Sequence, residues 1–166
     1  MHRRLVLPPA IASALLAAAL AACSAPEPSG ASDAAPATRL AAPQQTVLAA
    51  NSTAKLGTVV IDGLGWTLYR SDADSAQPPK STCTGSCADA WPPVLMEGGT
   101  PDYEGVDPSV VGTITRDDGR RQVTIGGWPV YRHASDPAPG SVDGQGAQGK
   151  WWAVTPTGGK AASQPS

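Results

Sequence analysis

The chain contains no phenylalanine, only three cysteines, two histidines and two methionines, and its large rings are five tryptophans and three tyrosines. These shortages exclude a good deal. A structural zinc site needs about four ligands, and once His2 is set aside with the leader only His133 is left to supply an imidazole. A Ser-His-acid set is not supported, because that single histidine serves no identifiable nucleophile. Paired carboxylates of the glycosidase kind cannot be told apart from loop acids. Basic residues are also few. Without Arg3 and Arg4, ten basic residues face fourteen acidic ones, a charge near −4, so no basic stripe exists to neutralise phosphates and nucleic acid is excluded as a partner. What the chain does have is 18 glycines and 17 prolines, a composition of turns and short strands rather than long helices.

The first 22 residues read as an export signal: His2-Arg3-Arg4 supplies the charged start and Leu5 to Ala22 the apolar run. A retained membrane helix fits less well, since Pro8-Pro9 interrupts the start and alanine gives little transfer energy per residue. The run ends in Leu20-Ala21-Ala22-Cys23, which looks like a bacterial lipobox. That implies lipidation of Cys23, an anchor held by roughly 0.8 kcal/mol per buried methylene, and an extracytoplasmic protein at a membrane surface. Residues 23–50, rich in Ala, Pro, Ser and Gln, read as a flexible tether with a mean reach of roughly 30 Å. Residues 159–166 read as a disordered tail.

Between these ends lies a domain, 51–158, that repeats itself. Gly65-Trp66-Thr67-Leu68-Tyr69-Arg70 returns as Gly127-Trp128-Pro129-Val130-Tyr131-Arg132 at an offset of 62, Asp74 falls on Asp136, and Trp91-Pro92-Pro93-Val94 answers Trp151-Trp152-Ala153-Val154 at an offset of 60. The repeats span about 57–96 and 110–156. Runs rich in Val, Ile and Thr broken by Gly63-Leu64-Gly65, Asp117-Asp118-Gly119 and Gly126-Gly127 predict hairpins: Thr58 to Asp62 with Trp66 to Arg70, then Val110 to Arg116, Arg120 to Ile125 and Trp128 to Arg132 in succession. Trp151 to Thr155 is expected as a last strand, with Val94 to Met96 as its counterpart. The one helical candidate starts at Ser86, a potential cap, and stops at Pro92-Pro93. Period two puts Trp66 and Leu68 on the face opposite Tyr69, and Trp128 and Val130 on the face opposite Tyr131 and His133. The expected fold is all-β: a small, antiparallel, hairpin-rich domain with two copies about a pseudo-twofold axis, as a sandwich or partly open barrel.

On these residues the chain resembles the bacterial secreted-repeat lipoproteins described by a Tyr-x-aromatic-x-x-Asp motif, a family without an established function. Carrying the resemblance are Thr67-Leu68-Tyr69 with Asp74, Cys83-Thr84-Gly85-Ser86-Cys87, Trp91-Pro92-Pro93, Asp118-Gly119 with Gln122-Val123-Thr124, Gly127-Trp128-Pro129-Val130-Tyr131 with Asp136, Gly144-Gln145-Gly146 and Trp151. The chain departs from the motif where its aromatic is replaced by Ser71 in the first copy and His133 in the second.

The remaining chemistry is sparse. Cys83 and Cys87, four apart in an exported chain, are expected to form a disulfide contributing roughly 2 kcal/mol; their spacing fits neither a thioredoxin-type site nor c-type haem attachment. Asp72-x-Asp74 begins like a calcium loop but lacks its glycine and closing glutamate, so Asp72, Asp74, Asp136 and Asp143 are read as loop-bonding acids. The run Gly140 to Gly149 lacks the Lys-Ser/Thr of a phosphate cradle. No catalytic residue is assigned and no cofactor is expected, with His133 and Met96 as weak haem or metal candidates. The leading reading is a membrane-anchored, non-catalytic binding or structural module of the cell envelope, its partner an unknown envelope protein or small ligand. The alternatives are a haem or metal module in extracytoplasmic electron transfer, and an enzyme or binder acting on wall polymers with exposed rings as sugar platforms.

Overall fold

A computed structural model describes residues 45–163; the leader, Cys23 and most of the tether lie outside the described residues. Strand β1 (Val47–Thr53) pairs antiparallel with β2 (Gly57–Asp62). The chain turns through Gly63-Leu64-Gly65 and returns along β2, bridging Thr67 to Ile61, before β3 (Tyr69–Ser71). A two-residue hairpin follows, β4 (Ser75–Ala76) on β5 (Pro79–Lys80), then the short helix α1 (Ser86–Ala90). Strand β6 (Asp102–Glu104) lies parallel on β1. Strands β7 (Val111–Thr115), β8 (Arg121–Ile125) and β9 (Trp128–Pro129) form one antiparallel sheet, and β10 (Trp151–Ala153) pairs with β3.

The expected hairpins are present, and three boundaries differ. Strand β1 starts at Val47, inside the segment assigned to the tether, because Leu48 is fully buried in the core and ties those residues down. The tail assigned to 159–166 is ordered at its start: Lys160 bridges Val154, and Ala161 is buried with its N–H on the Ala153 carbonyl at 2.8 Å. Ser86 is the first helical residue rather than the cap; Gly85 holds the cap position without a side-chain hydrogen bond.

The copies also do more than pack together: they exchange their last strands. Val60 N–H donates to Val154 C=O at 2.9 Å, Val154 N–H to Leu68 C=O at 2.9 Å, and Leu68 N–H to Val60 C=O at 2.9 Å. The same ring recurs with Val123, Val94 and Val130, at 2.9 Å from Val123 to Val94, 3.0 Å from Val94 to Val130 and 3.1 Å from Val130 to Val123. Val154 belongs to the second repeat yet closes the first hairpin, and Val94 of the first repeat closes the second. The backbone hydrogen bonds thus run on from the strands of one copy into those of the other.

At the centre, Tyr69 N–H donates to Tyr131 C=O at 2.8 Å and Tyr131 N–H to Tyr69 C=O at 2.9 Å, the reciprocal pair of a local twofold axis. Alternation along these strands feeds two cores. One holds both rings of three, Val60, Leu68, Val154, Val94, Val123 and Val130, with Leu48, Val106 and Ile125. The other holds Tyr69, Tyr131, Trp91 and Trp151, with Val59, Cys83 and Ala153.

Candidate functional site

Tyr69 and Tyr131 are both fully buried, and each reaches across the axis to the repeated aspartate of the other copy. Tyr69 Oη donates to Asp136 Oδ2 at 2.8 Å, and Tyr131 Oη donates to Asp74 Oδ2 at 2.6 Å. The phenols are therefore crossed latches between the copies. Burial pushes both phenols up from their ordinary value, and the hydrogen bond to a carboxylate adds to the shift in each: Asp136 for Tyr69, Asp74 for Tyr131.

Between the latches lie the repeated tryptophans. Trp91 and Trp151 stack with ring centroids 3.9 Å apart and planes 5° from parallel. Tyr69 meets Trp91 edge-on at 5.5 Å and Tyr131 meets Trp151 edge-on at 5.2 Å, so the cluster repeats the twofold relation. The glycine-rich run serves this packing: a Cβ on Gly144 would stand 2.8 Å from the Tyr69 ring. Cys83 and Cys87 form the expected disulfide, with Cys83 against the same cluster.

The surroundings of the two latches are not equivalent. Asp74 also takes the Thr82 N–H at 2.8 Å and its hydroxyl at 3.0 Å on Oδ1. Ser81 Oγ lies 2.7 Å from Tyr131 Oη, and the buried Arg116 donates to Ser81 at 3.1 Å, to Gln122 Oε1 at 2.6 Å and to the Cys83 carbonyl at 2.7 Å. On the other side Asp136 Oδ1 faces His133 Nδ1 at 3.0 Å. The His133 ring stacks on Trp91 at 4.3 Å, its side chain 17% exposed. The position where this chain departs from the family motif thus lies within one latch, whereas its counterpart Ser71 hydrogen-bonds its own loop at the Ala73 N–H.

Other residues singled out from sequence are dispersed. Met96 packs beside the aliphatic core, whereas His133 sits on the aromatic one, so the two are not brought together as a ligand pair. Trp66 and Trp128 are half-buried, and the Arg70 guanidinium lies 3.2 Å above the Trp128 ring. Arg132, the counterpart of Arg70, instead forms an ion pair with the buried Asp62. Arg116 and Ser81 escaped sequence reading altogether, since an arginine before an Asp-Asp-Gly turn carries no signal that its guanidinium turns inward.

Two interlocked copies of one β-unit, latched by Tyr-Asp pairs and stapled by a disulfide, make up a two-repeat module. The model for a secreted repeat of unknown function matches residues 51–95 and 112–155. The chain belongs to that family, which places the protein outside the cytoplasm. No curated protein and no solved structure shows significant similarity to it.

Proposed function

We propose that the protein is a lipid-anchored module with a non-catalytic binding or structural role in the cell envelope. One observation carries the reading: the residues written twice, Tyr69 and Tyr131, Asp74 and Asp136, Trp91 and Trp151, are all buried and are used in joining the copies. The duplicated signature is thereby a folding signature, and recognition falls to the surface around it. The haem or metal alternative rests on His133 alone once Met96 is elsewhere, and the sugar-platform alternative loses Trp128, whose face is covered by Arg70. Cys23 supplies the anchor.

Fractionation of cells expressing Cys23→Ser tests the anchor: the substituted protein is expected to leave the membrane fraction and to lose its acyl label. Persistence of both would defeat it. Incubating the purified protein with envelope extract and with haem or Cu²⁺ tests the role, the expected result being specific retention of an envelope component and no new absorption band. A haem or copper band abolished by His133→Ala would install the alternative.

A further inference from the structure

The copies differ at one sheet edge. In the first, the outer side of β1 is covered: β6 lies parallel along it, pairing Asp102 with Val47, Tyr103 with Leu48 and Glu104 with Ala49. In the second, β7 stands where β1 stands in the first, antiparallel to β8 as β1 is to β2. Strand β7 ends its sheet, and no strand among the described residues lies on its outer side.

The hydrogen-bonding phase of that edge follows from the ring of three beside it. Val123 directs its N–H to Val94 and its C=O to Val130, both away from β7, so Thr113 directly opposite belongs to a non-hydrogen-bonded pair. By alternation the backbone N–H and C=O groups of Thr113 and Thr115 point outward and have no hydrogen-bond partner among the described residues, while the Val111 N–H at the start of the strand is taken by the Pro108 carbonyl. The segment Val-Gly-Thr-Ile-Thr has no proline and no charge, and its register runs unbroken over five pairs, so beyond Val111 nothing blunts the edge.

A cavity of about 180 Å³ flanks the end of β7, bounded by Ile114 and Thr115 on one side and by Lys80, Ser81 and Thr84 on the other, with Arg116 and Asp117. The Arg116 side chain is 5% exposed, its hydrogen bonds go only to neutral acceptors, and Nε has none. Its nearest carboxylate oxygen, on Asp118, is 3.8 Å away and is held by Arg120 at 2.6 Å. A buried cation so poorly matched favours an incoming carboxylate. Lys80, Arg116, Arg120 and Arg121 against Asp117 and Asp118 leave this edge near +2 on a chain of net charge −2.

We propose that the outer edge of β7 docks an extended acidic segment of a partner protein, which adds to the sheet as a further strand and sets a carboxylate over Lys80 and Arg116. The proposal rests on the reading of the chain as a binding module. The molecule shows the mode in cis: on the equivalent strand β1 it carries its own Asp102-Tyr103-Glu104, with both acids exposed and the ring against the aliphatic core.

The test titrates the full chain carrying Cys23→Ser with a peptide of its own residues 99–106, Gly-Thr-Pro-Asp-Tyr-Glu-Gly-Val, and follows backbone amides by NMR. Saturable shifts are expected at Val111 to Thr115 and Lys80 to Thr84. The peptide with Asn and Gln in place of its acids is expected to bind about tenfold more weakly. Thr113→Pro removes the central outward N–H without breaking a β7-β8 hydrogen bond, so it is expected to abolish binding while the remaining spectrum is kept. The proposal falls if no amide of β7 shifts, if the shifts fall on β1 because the peptide displaces β6, or if the amide peptide binds equally well. It also falls if β7 shifts with protein concentration alone, which would make a second copy the occupant. Retention of an envelope ligand with β7 unmoved would sink this docking site and leave the binding reading standing.

Discussion

The two copies share a latch and differ in how each latch is held. In one, the Tyr131-Asp74 bond is embedded among Ser81, Thr82 and Arg116, with donors on both carboxylate oxygens. In the other, the Tyr69-Asp136 bond is supported by His133, a partly exposed side chain that faces Asp136 Oδ1. The joint is built alike in both copies, and the side chains beside it are not. The tyrosine, aspartate and tryptophan cannot change alone because each has its partner in the other copy. The adjoining position is used differently: Ser71 bonds its own loop, whereas His133 meets Asp136 and stacks on Trp91 of the other copy.

Removing the shared element should cost most. Trp151→Ala deletes one ring of the central stack and is expected to lower unfolding free energy by roughly 3–5 kcal/mol, measured by urea denaturation. A loss below about 1 kcal/mol would mean that the stack is not what joins the copies. The latches come next and should separate. Tyr131→Phe leaves Asp74 Oδ2 buried without its donor and also breaks the bond to Ser81, at a cost of roughly 2–3 kcal/mol. Tyr69→Phe should cost roughly 1–2 kcal/mol, because beyond Asp136 its phenol has only a long 3.4 Å contact to the Ser141 carbonyl. Equal losses, or a larger one for Tyr69→Phe, would erase the distinction between the copies.

The smallest effect is a slope. Both phenols are raised in the folded state, by burial first and by their aspartates second. Above the ordinary tyrosine value near 10 the unfolded chain gives up protons that the folded one keeps. Stability should therefore be intact below that pH and fall as pH rises, by about 1.4 kcal/mol per pH unit for each latch. Each Tyr→Phe variant is expected to lose one tyrosine's share of that slope in denaturation curves collected between about pH 10 and 11. An unchanged slope in both variants would show that the phenols do not titrate as buried groups.

Much of this was legible in the residues. The repeat offset, the turn glycines and the period-two placement of Leu68 against Tyr69 and Val130 against Tyr131 anticipate the strands and the two faces, and spacing with export anticipates the Cys83-Cys87 bond. The exchange of Val94 and Val154 was not legible, because a strand's sequence states that it pairs, not which of two similar hairpins it pairs with. Nor was the first turn of β1, where Leu48 alone among small residues gives no periodicity. The crossed latches were hidden for the same reason as the exchange: Tyr69 and Asp74 read as one motif although their bonds run to Asp136 and Tyr131.

The central claim is that each copy is completed by the other. It is tested most directly by severing the exposed Gly98-Gly99 link and preparing the chain as two fragments, residues 45–98 and 99–163. Neither fragment is expected to fold as a monomer, and mixing them should restore a dispersed amide spectrum in a one-to-one complex. A folded monomer of either fragment, its last strand closing its own hairpin, would contradict the account.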